Sequence, residues 1–188
     1  MTDTILTRDQ LEVLFYNLTV GIIGGSPKAD IRRSWPTGGA PAFSNTDNVA
    51  FIKVYNVESP ITQQREDVYS QIGSPSTPNM ATKTTRTLLL DYMFYGQTSW
   101  DRANLVKEGL YRQVNHDILA LQKIFVVPDG KPPQLMPELW QGVWYDRVNL
   151  KIYFNEGIVV NDNVPYIKTV EIVVEDRKGI RADITVEE

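Results

Sequence analysis

Hydrophobic positions recur along this chain with two different periods, which predicts a fold built from both helices and strands. Between residues 7 and 25 the spacing is three and four, which puts the apolar residues on one helix face: Leu11, Leu14, Phe15 and Leu18. Thr7 and Gln10 have the spacing of a capping box, so the helix is predicted to begin there. Gly24 and Gly25 predict its end.

The next two apolar runs predict a long β-hairpin. Residues 49–57, VAFIKVYNV, are rich in β-branched and aromatic residues, and residues 82–96, TKTTRTLLLDYMFYG, become apolar after an alternating start. The connection over residues 58–80 is polar and too long for an ordinary hairpin turn. We therefore expect the base of the hairpin in the core and residues 58–80 to project into solvent as an arm. The segment before the first strand, through Phe43, is expected to be irregular.

A long amphipathic helix is predicted over residues 100–122, with Ser99 as its N-cap. Apolar residues recur along it at spacings of three and four, which predicts a single buried stripe. The stripe consists of Ala103, Val106, Leu110, Val114, Ile118 and Leu121.

Strand patterns fill the rest of the chain. IFVVP is a short strand, and residues 143–156 alternate strictly, with two sets of side chains on opposite faces. One set is Trp144, Val148, Leu150, Ile152 and Phe154; the other is Tyr145, Arg147, Asn149, Lys151 and Tyr153. Residues 166–176 form the last predicted strand, followed by a polar tail over residues 177–188. The prediction is one α+β domain over residues 1–176, a largely antiparallel sheet with two helices on one face.

The charge and composition of the chain argue against several classes of function. The formal net charge of −4 gives no reason to expect binding to nucleic acid or to an anionic membrane. The absence of cysteine excludes disulfides and thiolate metal sites. The N-terminal residues do not resemble a signal peptide, and no apolar run has the length of a transmembrane helix. We expect folding in a cytoplasm and no membrane partner.

Candidate chemistry is sparse. The only histidine, His116, falls in the predicted long helix and is expected to be solvated. Asp146 and Glu156 lie ten positions apart on one strand and are interpreted as exposed charges. GIIGGSPK lacks the spacing of a phosphate-binding loop and follows a helix, so it is interpreted as a helix stop. We expect no enzyme activity, no cofactor and no metal site.

Aromatic and arginine residues concentrate in the predicted loops and strand ends, a composition typical of protein–protein contacts. Alternatively, Trp35 covers an edge of the core, and Arg32 and Arg33 are solvated charges. The candidate contact residues are Arg32, Arg33, Trp35, Gln64, Arg65, Tyr69, Trp140, Trp144 and Arg147.

Four segments in order resemble phage neck terminator (tail terminator) proteins, over about residues 30–175. They are IRRSWPTGGAPAF, VAFIKVYNVESPITQQREDVYS, LLLDYMFYGQTSWDRANLVKEGL and MPELWQGVWYDRVNLKIYFNE. The resemblance implies a hexameric ring that caps the tail tube at the head–tail junction of the virion, after assembly in the host cytoplasm. It also implies contacts with further copies of the chain, the tail tube protein and the head-side connector, and passage of genomic DNA through the lumen without sequence-specific binding.

Two other functions stay open at this point. The first is that of another tail component, such as a completion or baseplate protein. The second is that of a small-ligand-binding or enzymatic domain. The last possibility requires an apolar pocket near Trp140 and Trp144.

Overall fold

The fold is α+β, as the sequence predicted, with three helices and a mostly antiparallel sheet. The computed structural model describes residues 3, 5–24, 31–33, 42–70, 79–128, 131–163, 169–176 and 179–187. Within this part of the chain the helices are α1 (Arg8–Ile23), α2 (Ser99–Leu110) and α3 (Gln113–Leu121), and a 3₁₀ helix spans Pro60–Gln63. The strands are β1 (Ile31–Arg33), β2 (Val49–Val57), β3 (Arg65–Ser70), β4 (Asn79–Tyr95), β5 (Ile124–Val126), β6 (Gln134–Leu135), β7 (Glu138–Trp140), β8 (Val143–Tyr145), β9 (Arg147–Asn163), β10 (Thr169–Asp176) and β11 (Gly179–Glu187).

Seven strands form the main sheet, in the order β1-β2-β4-β9-β5, with β3 paired to β4 and β6 paired to β9. The predicted hairpin base is confirmed: β2 and β4 pair antiparallel from Val49 opposite Tyr95 to Val57 opposite Thr87. β1 was expected to be irregular and instead pairs parallel with β2. A three-residue strand with one apolar residue carries too short a pattern to be recognised in the sequence.

The core lies between one face of this sheet and the helices. Alternate residues of β2, β4 and β9 are buried there, because successive strand side chains point to opposite faces. Helix α1 adds Leu11, Phe15 and Leu18, and α2 adds Ala103, Val106 and Leu110. The sheet residues in this core are Ala50, Ile52, Val54, Leu88, Leu90, Tyr92, Phe94, Val148, Leu150, Ile152 and Phe154.

The predicted start and end of α1 are confirmed. The backbone N–H of Gln10 donates to Thr7 Oγ1 at 3.3 Å, and that of Thr7 donates to Gln10 Oε1 at 2.8 Å. Gly24 follows the last helical residue with a φ of 70°, which a glycine adopts without strain.

The single helix predicted over residues 100–122 is wrong, because the chain forms two helices. Arg112 is extended, with φ −69° and ψ 141°, and it separates α2 from α3. The carbonyl of Gly109 accepts the Arg112 N–H at 3.1 Å and the side-chain amide of Asn115 at 2.8 Å, so this carbonyl is satisfied without a continuing helix. The N-cap of α2 is Thr98 rather than the predicted Ser99, which is the first helical residue.

The described residues divide into two compact units. The larger is Thr4–Arg65 with Thr84–Ile158, and the smaller is Met1–Asp3, Glu66–Lys83 and Val159–Glu188. In the smaller unit β10 pairs antiparallel with β11, so the tail predicted for residues 177–188 contains a strand. Every second residue from Ile180 to Val186 is apolar, the period of a strand. The prediction of one domain over residues 1–176 stays a prediction.

Glu156 is a buried residue and not the exposed charge that the sequence suggested. Its side chain is 1% exposed, and Arg86 donates to Glu156 Oε2 from Nε at 2.9 Å and from Nη2 at 2.5 Å. Arg86 also donates to the Leu6 carbonyl at 3.0 Å, and the Leu6 N–H donates to Glu156 Oε1 at 3.3 Å. This network joins the segment before α1 to strands β4 and β9 and satisfies a buried charge.

Candidate subunit interface

Two of the predicted contact residues, Trp140 and Trp144, lie on the hairpin that β7 and β8 form. Trp140 pairs with Val143, and Leu139 pairs with Trp144. The connecting residues are Gln141, with a φ of 48°, and Gly142, with a φ of 79°. Positive φ at both positions defines a type I′ turn, whose twist matches that of the two strands. Because the turn takes only two residues, β7, the turn and β8 fit within residues 138–145.

The hairpin displays an unusual amount of apolar surface. Trp140 is 60% exposed and Trp144 is 63% exposed, which is high for the largest side chain in proteins. We call the exposed apolar residues of this hairpin and of its entry segment the hairpin surface. They are Leu135, Met136, Leu139, Trp140, Val143 and Trp144. The strand register places Trp140 and Val143 on one face of the hairpin and Leu139 and Trp144 on the other, so each face carries one exposed tryptophan. Exposed aromatic residues of this kind are typical of protein–protein contact sites.

The prediction of one alternating strand over residues 143–156 is wrong at its start, because β8 ends at Tyr145 and β9 begins at Arg147. The strand is interrupted at Asp146, whose carbonyl accepts the Gly96 N–H at 3.1 Å. Gly96 has a φ of 98°, and a Cβ there would lie 2.5 Å from the Asp47 carbonyl oxygen, so this contact depends on glycine. The alternation holds only from Arg147 onward, where β9 begins. Exposed indoles do not favour the ligand pocket that one alternative function required.

An aromatic cluster lies at the base of the hairpin. The Phe43 ring centroid is 5.7 Å from that of Phe51, 5.2 Å from that of Tyr95 and 5.9 Å from that of Tyr145, the last residue of β8. The Arg32 guanidinium lies 5.7 Å from the Phe43 centroid, within cation–π range. Arg32 therefore packs against this cluster, where the sequence left open whether it was a solvated charge.

Polar contacts join the first strand of the hairpin to the same cluster. Glu138 Oε2 accepts the Tyr95 hydroxyl at 3.0 Å and Arg147 Nη1 at 3.1 Å. Burial, together with the hydrogen bond to the Glu138 carboxylate, raises the pKa of Tyr95 to about 12. The Arg147 guanidinium also lies 5.9 Å from the Tyr95 ring centroid. Arg32, Arg147 and the two hairpin tryptophans are thus the candidate residues that the structure brings to one region.

The other candidates lie apart from this region or outside the described residues. Arg33 forms an ion pair with Asp9 of α1. Gln64 closes the 3₁₀ helix by donating its N–H to Ile61, and the next residue, Arg65, begins β3. Tyr69 belongs to the smaller unit and is 64% exposed. Trp35 lies outside the described residues.

A second exposed apolar surface was missed in the sequence because three of its members were predicted to be core. Val114 is 71% exposed, Ile118 40% and Leu121 82%, while Leu119 provides the buried contact of α3. Because the helix breaks at Arg112, α3 begins with a different rotation about its axis. The apolar side chains that were predicted to be buried in this part of the chain therefore face solvent. Spacings of four and three residues put these three exposed residues on one face of α3, which we call the helix surface: Val114, Ile118 and Leu121. The available signal was Gly109 followed by Asn115, both poor helix formers.

Comparison with known families decides what kind of protein carries these surfaces. Residues 9–178 match the model of the phage neck terminator protein family. The chain belongs to this family. The resemblance found in the sequence is therefore confirmed, and a neck terminator protein is a structural component of the bacteriophage neck. No curated protein matches the chain.

Candidate chemical sites are sparse in the part of this neck terminator protein that the structure describes. Within it, no three His, Asp or Glu side chains are grouped so that they would hold a metal ion. His116, expected to be solvated, is half-buried, and its ring centroid lies 6.2 Å from that of Phe125. No helix in the described residues has the length and apolar character to cross a membrane. The surfaces with a distinct character are therefore those suited to protein contacts.

Proposed function

We propose that this neck terminator protein assembles into a closed ring at the head–tail junction, where it ends the tail tube and joins it to the head-side connector. Membership of the neck terminator family carries the proposal. A ring of about six copies is what the resemblance implies. Its copies would assemble in the host cytoplasm, and the genome would pass through the lumen without sequence-specific contacts.

The exposed apolar surfaces support a role in assembly. A ring of identical subunits uses heterologous contacts, in which one surface of a subunit meets a different surface of the next. The larger unit carries exposed apolar residues in two places, on the two faces of the β7–β8 hairpin and on the helix surface of α3. In the smaller unit, Tyr69 on β3 is an exposed aromatic residue, as a contact with the tube, the connector or a neighbouring copy would require.

The test is microscopy of phage particles made with and without this protein. A protein that ends the tube should be present as a ring at the neck, and particles lacking it should contain unjoined heads and tails of uneven length. Complementation with the intact chain is the control. Density for the protein at the baseplate or along the tail would instead identify it as another tail component. Purified chain that turns over a small substrate would favour an enzymatic domain.

A further inference from the structure

The face of the β7–β8 hairpin that carries Trp140 continues into the aromatic cluster at the base of the hairpin. Glu138 pairs with Tyr145, and this pair lies on the same face as the pair of Trp140 and Val143. Neighbouring pairs on one face of a hairpin are within reach of aromatic side chains. Trp144 lies on the opposite face. Only the face of Trp140 is therefore continuous with the cluster.

Tyr145 links this face to aromatic rings of the main sheet. Its ring centroid lies 5.9 Å from that of Phe43 and 6.5 Å from that of Tyr95. The Phe43 centroid in turn lies 5.7 Å from that of Phe51 on β2. The rings follow one another from the hairpin onto the sheet, and we call them the aromatic strip: Phe43, Phe51, Tyr95, Trp140 and Tyr145.

The aromatic strip is open to a partner and has a hydrogen-bond donor at its exposed end. Trp140 is 60% exposed, and its indole N–H makes no hydrogen bond within the part of the chain that the structure describes. The other four rings are half-buried. Aromatic rings with such donors line the surfaces that bind polyproline II segments, because the backbone carbonyls of these segments have no internal hydrogen bonds.

The chain itself contains one segment of matching chemistry. Among its eleven prolines, only Pro75 and Pro78 have the spacing P-x-x-P, within the sequence QIGSPSTP of residues 71–78. These residues connect β3 to β4 and lie outside the described residues. A P-x-x-P sequence favours the extended polyproline II conformation, which loses little entropy on binding. The segment carries no charge, which suits contact with aromatic rings.

We propose that the aromatic strip of one copy binds the P-x-x-P segment of a neighbouring copy, with Trp140 as the main contact residue. The inference rests on the proposed ring, because the ring supplies the neighbouring copy. Strip and segment are different parts of the chain, so the contact is heterologous, as closure of a ring requires. The two prolines pack on the aromatic rings, and the Trp140 indole N–H donates to a carbonyl of the segment.

The first measurement is binding of a fluorescein-labelled peptide of residues 70–80, SQIGSPSTPNM, by fluorescence anisotropy. The receptor is the full chain with Pro75→Ala and Pro78→Ala, which we call the segment variant. It keeps the strip and lacks the competing segment. A second peptide with alanine at both proline positions should bind about 10-fold or more weakly, because it loses the proline rings and the preset backbone.

The two hairpin tryptophans provide a matched pair of substitutions in the segment variant. Their side chains are similarly exposed, 60% for Trp140 and 63% for Trp144, but they lie on opposite faces. Trp140→Thr should weaken binding of the peptide about 30-fold or more, whereas Trp144→Thr should change it by no more than about twofold. Circular dichroism and thermal unfolding check that each variant is folded.

Sedimentation velocity tests whether the strip and the segment belong to different copies. The segment variant and a Trp140→Thr chain with its prolines intact should each self-associate about 10-fold or more weakly than the wild type. An equal mixture of the two should form a heterodimer, because the intact segment of one variant meets the intact strip of the other.

Four outcomes would overturn the proposal. They are a peptide that does not bind, equal losses for the two tryptophan variants, a mixture that associates no better than either variant alone, and a wild-type chain that binds the peptide but stays monomeric at every concentration. None of these removes the protein from the neck, so particle microscopy separates this failure from failure of the proposed function. A virion with the ring in place and a different interface would contradict only the present inference.

Discussion

Asp91 lies on the sheet face that is turned away from the helices, opposite Lys53 in the register of β2 and β4. Its Oδ1 atom is buried without a hydrogen-bond partner among the described residues. Burial raises the pKa of Asp91 above its ordinary value of 3.8, although Lys151, Arg147 and Lys53 act in the opposite direction. Desolvation therefore outweighs the attraction of three neighbouring cations.

The raised pKa of Asp91 predicts a pH-dependent effect of Asp91→Asn. Because the folded protein binds this proton more tightly than the unfolded chain, the contribution of Asp91 to stability falls as pH rises from about 3.8 through the folded-state pKa. Asparagine does not ionise, so the free energy of unfolding of Asp91→Asn should be higher than that of the wild type at pH 7. This difference should disappear near pH 4, where Asp91 is protonated in both states. Urea unfolding at several pH values measures the difference. A variant that is less stable than the wild type at pH 7 would show that the attraction between the Asp91 carboxylate and the neighbouring cations outweighs the cost of burying it.

The Arg86–Glu156 pair gives a second prediction at this scale. Arg86→Met should lower the free energy of unfolding by about 3–5 kcal/mol, because it leaves a buried carboxylate uncompensated. Arg86→Met combined with Glu156→Leu should recover most of that loss. Lys83→Met on the same strand is the control, since Lys83 and Glu66 form an exposed pair at 3.8 Å and such pairs contribute about 0–1 kcal/mol. Equal effects of Arg86→Met and Lys83→Met in urea unfolding would contradict this account.

At the scale of elements, the crossing of α1 and α2 depends on Gly109. A Cβ at this position would lie 2.4 Å from Ile22 Cγ2 and 2.9 Å from Ile22 Cγ1. These distances are far below ordinary van der Waals contact, so the two helices approach as closely as they do only because α2 presents a glycine there. The same glycine lies in the last turn before the helix break.

Gly109→Ala should therefore destabilise the protein, although alanine is the better helix former. The overlap should cost about 1–3 kcal/mol, against a gain of up to about 1 kcal/mol in helix propensity. Gly21→Ala in α1 is the matched control and should stabilise, because nothing lies within 4 Å of the added methyl group. Adding Ile22→Ala should rescue Gly109→Ala. Thermal unfolding that shows the same sign for both glycine variants would refute the packing argument.

The elements that could be predicted from the sequence are those whose pattern is local and long. The capping box of α1, the strand patterns of β2 and β4 and the alternation in β9 each depend on residues close together in the sequence, and each was confirmed. The end of β8 and the burial of Glu156 depend on contacts between residues far apart in the sequence, such as Gly96 with Asp146, fifty positions apart. The same limit applies to the candidate site: Trp140 and Trp144 were chosen by residue type, but the helix surface became visible only with the tertiary structure.

At the scale of the whole molecule, net charge and apolar surfaces act in opposite directions on assembly. Each copy carries a formal charge of −4, so copies repel one another, and this repulsion weakens as salt shortens the Debye length from about 30 Å at 0.01 M to about 8 Å at 0.15 M. Apolar contacts do not lose strength with added salt.

Self-association through exposed apolar residues such as Trp140, Trp144 and Leu121 should therefore strengthen as sodium chloride is raised from about 0.01 to 0.15 M. It should also weaken on cooling, because burial of apolar surface is driven by entropy near room temperature. Sedimentation velocity at two temperatures and several salt concentrations measures both trends, with a variant carrying Trp140→Thr and Trp144→Thr as the control for loss of exposed apolar area. Association that falls steeply with salt would point to ion pairs such as those of the exposed arginines, because opposite charges are screened by the same ions that relieve the repulsion between copies.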